Sequence, residues 1–198
     1  PVTQKYMSPK TPAQNEAIRQ QSRNKILEAA LELFARQGFH NTSIEQIRKR
    51  AGVSKGLIYN YFTDKEDLMN QIFFEEMKQG DQIIEEMGQL VNGQERFKYL
   101  LDFTFSYLTS QEDRSKLMVS IGMQIDDFPK LKDIVLARYK GVMPLMTHLF
   151  EELGVENPRI EAIAVSAALD GLGIQYLIMG DEVPLLEMKE YLIQKYCT

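Results

Sequence analysis

Between Ile44 and Phe62 the chain has to end one helix and begin another within four residues, which restricts its possible folds more than any other feature. The junction reads Ala51-Gly52-Val53-Ser54. Glycine reaches the positive φ of a tight turn, Val53 can plug a core, and Ser54 can cap the helix that follows. That helix, Lys55 to about Phe62, is only about two turns long. Helices so short are marginal alone, so packing through Ile58 and Phe62 has to hold it.

The neighbouring segments read as helices too. Ser43 to Ala51 is a short one with Ile44 and Ile47 inward, and Arg48, Lys49 and Arg50 crowd its end. Thr42-x-x-Glu45 and Ser43-x-x-Gln46 are both capping boxes, so either residue can start it. Before it, Ile26, Leu27, Ala30, Leu31 and Phe34 form one apolar stripe from a helix that opens near Asn15 and stops at Gly38. After it, Thr63-x-x-Glu66 caps a fourth helix with Leu68, Ile72 and Phe73 on its inner side. A helix, a glycine turn and a short second helix on a scaffold fit the major groove of DNA.

Charge supports that reading once it is divided. The whole chain carries a net charge of −5. Residues 1–62 hold ten Lys/Arg against four Glu, an excess of six positive charges; the remainder holds 13 bases and 24 acids, an excess of eleven negative ones. The N-terminal part therefore suits a polyanion and the rest does not. Residues 1–14, with Pro1, Pro9 and Pro12 among polar residues, read as a flexible arm in which Lys5 and Lys10 either track a minor groove or stay free in solvent.

The run from Thr42 to Leu68 strongly resembles the DNA-binding domain of the TetR family of bacterial transcriptional regulators. The resemblance rests on Ala51-Gly52-Val53-Ser54-Lys55-Gly56, on Tyr59-x-Tyr61-Phe62 and on Lys65-Glu66-x-Leu68, after a helix ending Leu33-Phe34-Ala35-Arg36-Gln37-Gly38-Phe39. Leu57 stands where threonine is frequent and Asn60 where histidine or another aromatic is common, which bears on which DNA site is read. The resemblance implies an all-α subunit: a three-helix helix-turn-helix domain over 15–63, and a helical ligand-binding and dimerisation domain over 64–198. It further implies a homodimer on a palindromic double-stranded DNA operator, released by a small-molecule effector, with repression the more common action. An architectural or cell-division DNA-binding protein of the same fold, with a sealed core and no inducer, is the alternative.

The DNA-facing candidates are Thr42, Ser43, Ser54, Lys55, Gly56, Tyr59, Asn60, Tyr61 and Lys65. Lys55 and Lys65 sit at helix starts and suit phosphates. Gly56 would let the backbone approach DNA closely. Asn60 can pair with an adenine edge or face solvent, and the hydroxyls of Thr42, Ser43 and Ser54 can meet the DNA backbone or only cap. Tyr61 is either a phosphate contact or packing. By family analogy Tyr59 meets a phosphate or a thymine methyl; half-buried packing is the other reading.

From about Met69 onward, helical patterns cover roughly 94–108, 112–125, 131–153, 159–179 and 184–196, with Pro144 expected to bend or interrupt the third. Ile160, Ala164, Ala167, Gly171, Ile174 and Ile178 make one face of the fourth, and Leu185, Met188 and Leu192 one face of the last. They form either the four-helix dimer interface that the resemblance implies or intrachain core. Helix position nominates Phe97, Leu101, Phe105, Met118, Met123, Met143, Met146 and Tyr176 for a largely apolar effector pocket. Asp126, Asp127, His148 and Asp170 are possible polar anchors there.

Other classes fit poorly. His40 and His148 lie in different expected domains, and there is no metal-ligand spacing, phosphate-binding glycine loop or HExxH, so neither an enzyme nor a cofactor or metal is expected. Val165 to Met179 is apolar but short and carries Asp170, so it reads as a buried helix and not a membrane span. A single cysteine, Cys197, and an N-terminus without a secretory signal fit the cytoplasm.

Overall fold

A computed structural model describes residues 11–197, and among them every regular element is helical. Two compact units meet within one helix: the first ends at Ile72 and the second begins at Phe73. The sequence reading had placed this division at 63/64.

The N-terminal unit opens with α1 (Pro12–Gln37). Thr11 and Gln14 form a reciprocal capping box, Thr11 Oγ1 accepting from the Gln14 amide at 3.2 Å, with Pro12 at the first helical position. Residues 12–14, expected in the arm, are therefore helical, while residues 1–10, with Lys5 and Lys10, lie outside the described residues. Gly38, at φ 85°, stops α1. α2 (Ile44–Ala51) is capped by Ser43, whose hydroxyl accepts from the Gln46 amide at 3.2 Å. Gly52 then turns left-handed at φ 68°, and Ser54 caps α3 (Lys55–Tyr59) by accepting from Leu57. α3 is shorter than expected, five residues, and Ile58 and Phe62 are buried beneath and beyond it.

α4 (Lys65–Gly88) starts differently from expectation. Asp64, not Thr63, accepts the Asp67 amide at 2.8 Å, and Asp67 returns the bond to the Thr63 amide at 2.9 Å. The cap has moved one residue because a carboxylate outcompetes a hydroxyl at the positive end of a helix. Lys65, in the first turn, reaches back to the α1–α2 connection. Its ammonium donates to the carbonyls of Phe39 at 2.7 Å, Thr42 at 2.9 Å and His40 at 3.5 Å, and lies 4.3 Å from the Phe39 ring centroid. Partial burial pushes the Lys65 pKa down.

The C-terminal unit adds α5 (Gly93–Ser110), α6 (Glu112–Met123), α7 (Pro129–Glu152), α8 (Pro158–Met179) and α9 (Leu185–Tyr196), with 3-10 turns at Ile125–Asp127 and Gly180–Glu182. α7 runs through Pro144 without interruption. Proline removes one helical hydrogen bond, and the helix survives here because Leu149 and Phe150, just beyond it, are anchored in the core. Phe97, Phe150 and Tyr196 meet edge to face, with centroids 5.2–5.6 Å apart, at the centre of that core. Gly93 allows α5 to start against α7: a Cβ there would stand 2.7 Å from that of Glu152.

α8 is not the buried helix that its apolar sequence suggests. Pro158–Glu182 is apolar and long enough to span a membrane by length and composition alone, and only 22% of the most apolar window is buried within the chain. Ala162, Val165, Leu172 and Gly173 face the core, whereas Ile160, Ala164, Ala167 and Ile178 face outward.

Lys65 thus closes the loop that seats α2. Replacing it by Met keeps the alkyl stem and removes the donors, so Lys65→Met is expected to destabilise the N-terminal unit by about 1–3 kcal/mol. Amide exchange at residues 39–44 should accelerate with it; unchanged exchange there would show that the ammonium holds nothing.

Candidate DNA-binding face, cavity and subunit face

The glycine turn presents α3 on one side of the N-terminal unit. Lys55, Gly56, Tyr59 and Asn60 are all exposed, and Tyr61 is half-buried. The Lys55 ammonium lies 6.0 Å from the centroid of the Tyr59 ring, which is 49% exposed, so cation and aromatic occupy one patch. A Cβ on Gly56 would meet nothing within 4 Å, so no intrachain contact demands glycine there. Close approach by an external surface would. Ser43 and Ser54 are exposed but their hydroxyl oxygens already serve as caps; each retains its place at the start of a helix beside this patch.

Two of the nominated residues do a different job. Thr42 is buried, donating to the Gly38 carbonyl at 2.8 Å and accepting from Gln37 at 3.1 Å. It ties the connection between α1 and α2 and has no hydroxyl to offer DNA. Lys65 is committed to backbone carbonyls, as above, and so is removed from phosphate duty. Of the basic cluster in the last turn of α2, Arg48 bonds Glu45 at 2.8 Å and Arg50 pairs with Glu32, while Lys49, its side chain 70% exposed, stands 4.0 Å from Glu45.

A cavity of about 410 Å³ lies within the C-terminal unit among α4, α5 and α7. Its wall is mainly apolar, including Ile84, Leu100, Phe103, Val142 and Leu149, and Arg96, Arg138, His148 and Glu152 supply charge or hydrogen bonds. Of the eight nominated pocket residues, Met146 lines it. Phe97, Leu101 and Phe105 are buried core, against which Met143 and Tyr176 pack. Met118 is half-buried elsewhere on α6, and Met123 is 77% exposed at its end. Among the proposed anchors His148 lines the cavity and Asp126, Asp127 and Asp170 do not. Helix phase identified which side chains turn inward but not where the packing leaves space; Gly80 and Gly88, gaps on α4, were the available signal. Among the described residues no group of three or more His, Cys, Asp or Glu side chains is placed to hold a metal ion.

The nominated subunit face divides as well. On α8, Ile160, Ala164, Ala167 and Ile178 are exposed, and Gly171 and Ile174 are half-buried. On α9 the apolar stripe turns inward: Leu192 is core, with Leu185 and Met188 packed against it. The outward apolar residues of α9 are Leu186 and Tyr191. An amphipathic helix buries its more continuous stripe first, and here its own chain takes it.

Known proteins resemble this chain in sequence and in fold. Residues 26–72 match the family described as bacterial regulatory proteins, tetR family. The fatty acid metabolism regulator protein of Bacillus subtilis is 33% identical over 89 residues, 44% of this chain and 46% of that protein. The chain thus aligns with less than half of that relative's length. A Saccharomonospora viridis protein crystallised with choline, described as a transcriptional regulator, superposes with a TM-score of 0.74 at 24% identity, covering 87% of this chain and 94% of that one. The Bacillus subtilis transcriptional regulator FadR, in complex with stearoyl-CoA, superposes with a TM-score of 0.67 at 21% identity, covering 86% and 95%. These two superpositions show a shared fold. The glycine-turned helix pair thus lies within a segment, residues 26–72, that matches the tetR family of bacterial regulatory proteins, and the chain shares the all-helical fold of the two solved structures.

Proposed function

We propose that this chain is a homodimeric, effector-responsive DNA-binding regulator, acting as a repressor in the cytoplasm. The carrying observation is the coexistence in one chain of an exposed Lys55–Tyr59–Asn60 patch on α3 and an apolar cavity in the other unit. The cavity favours this reading over an architectural DNA-binding protein, which has no use for one. Proteins of the same fold crystallised with choline and with stearoyl-CoA support a small-molecule effector.

On DNA, Lys55 meets phosphate, Gly56 allows close approach, and Tyr59 and Asn60 face the bases, with Ser43, Ser54 and Tyr61 at the flanks. Two such helices in a dimer reach successive major grooves, ~34–36 Å apart, and so read a palindrome. The outward face of α8, with Leu186 and Tyr191 of α9, supplies the subunit contact: Ala164, Ala167 and Gly171 are small enough to admit a second helix closely. α4 carries residues of both units and lines the cavity, so it is the element through which an effector biases DNA binding. Release requires that the effector bind the DNA-incompetent state more tightly than the competent one.

Two outcomes test this. Lys55→Ala should weaken binding to all duplexes and lower the slope of log K against log salt by about one, as the loss of one phosphate contact requires. An unchanged slope removes Lys55 from the backbone contacts. Ala167→Glu should convert a dimer to a monomer in analytical ultracentrifugation at micromolar concentration, because it places a carboxylate in the centre of the apolar α8 face. A dimer unaffected by that change places the subunit contact elsewhere.

A further inference from the structure

The cavity has two unlike ends. At one, Arg96 is engaged through all three of its nitrogens: it donates to the Met87 carbonyl at 3.2 Å and the Leu90 carbonyl at 3.0 Å, and pairs with Glu152. This arginine ties the end of α4 to the end of α7, and Gly93 keeps the two backbones close at the same place. At the other end, Arg138 crosses Gly80 and pairs with Asp81, whose side chain is 63% exposed. An ion pair as exposed as this is weak, and its carboxylate can return to water at little cost. Between the two, the 14 residues separating Arg138 from Glu152 on α7 span ~21 Å at helical rise, flanked by Ile84, Leu100, Val142 and Leu149.

We propose that this cavity binds single-chain amphiphiles with an anionic head group, the chain lying between α4, α5 and α7 and the head on the Arg138 guanidinium. The proposal rests on the reading of the cavity as the effector site and specifies the effector's class. The chain follows from the apolar wall and its length, each buried CH₂ tightening binding by about fourfold. The sign of the head follows from exchange chemistry. An incoming carboxylate or phosphate replaces Asp81 on Arg138, so the guanidinium stays paired throughout and Asp81 is released to solvent. A cationic head would face the like charge of Arg138 at one end. At the other it would have to take Glu152 from Arg96, leaving that arginine half-buried and short of a partner, which is far more costly. Thr104 is not available as an alternative anchor, since its hydroxyl donates to the Leu100 carbonyl at 2.8 Å, and His148 turns toward Glu151 at 3.1 Å.

The test is calorimetric titration of the full chain with four probes that share a ten-carbon chain, each below its micellar concentration: decanoate, decyl phosphate, decanol and decyltrimethylammonium. The anions are expected to bind at least tenfold more tightly than the alcohol and the cation, their order identifying the head group. Arg138→Gln should erase that advantage, bringing the anions to the affinity of decanol for the same variant. Asp81→Asn, a change at an exposed side chain, should enlarge it by freeing Arg138, which keeps the test open should Arg138→Gln not fold. Equal affinity for all four probes, a preference for the cation, or an advantage that survives Arg138→Gln would overturn the head-group assignment and leave the cavity as an effector site. If none of the four binds, both that assignment and the effector-site reading fall.

Discussion

α3 spans five residues, and a helix that short forms only where packing and caps supply what its own hydrogen bonds do not. Ile58 and Phe62 are buried, Ser54 caps the start, and Gly52 sets the direction from which the chain enters. α2 meets the same difficulty with eight residues and the same solution, a capping box at one end and a left-handed glycine at the other. The segment that leads into α2 is held in turn by Lys65 and the Thr42 hydroxyl. The outward surface of α3 is therefore held by several independent contacts beneath it. Its outward side chains are left free of structural duty, and those are the ones available for recognition.

The second unit solves a different problem. Its core closes around Phe97, Phe150 and Tyr196 and draws in the inner stripe of α9, yet two places stay unfilled: the space among α4, α5 and α7, and the outer face of α8. An incompletely packed interior costs stability, and an uncovered apolar helix face invites association. Both costs would be offset by the effector and the second copy of the chain that we propose. The partition of charge fits the same division, with the basic excess confined to residues 1–62.

Much of this was legible in the sequence, for local reasons. Caps, the glycine turn and the two inward residues of the short helix depend on neighbours within a few positions, and Ser43, Gly52, Ser54, Ile58 and Phe62 stand where that logic puts them. Lys65 reads in sequence as a phosphate contact because a lysine beside a groove suits that role, whereas in the structure its ammonium binds backbone carbonyls. A cation in the first turn of a helix opposes the helix dipole, and that penalty was the clue that its ammonium serves something else. Thr42 and Ser43 offered equivalent capping patterns, and only the path of the chain out of α1 decides which hydroxyl turns inward. On α9 the periodicity identifies an apolar stripe without naming its partner, so sequence leaves Leu192 to either an interface or the core, and the structure puts it in the core. The cavity was least legible, since it depends on what three helices fail to fill.

The central claim is that two copies of this chain read DNA through α3 on one symmetric site. Selection of the chain's binding sites from a library of random duplexes tests it most directly. The account predicts enrichment of a palindrome whose half-sites are centred about one helical turn apart, 10–10.5 base pairs, or a multiple of it. Enrichment of a single unrepeated element, or none over the starting library, would contradict it.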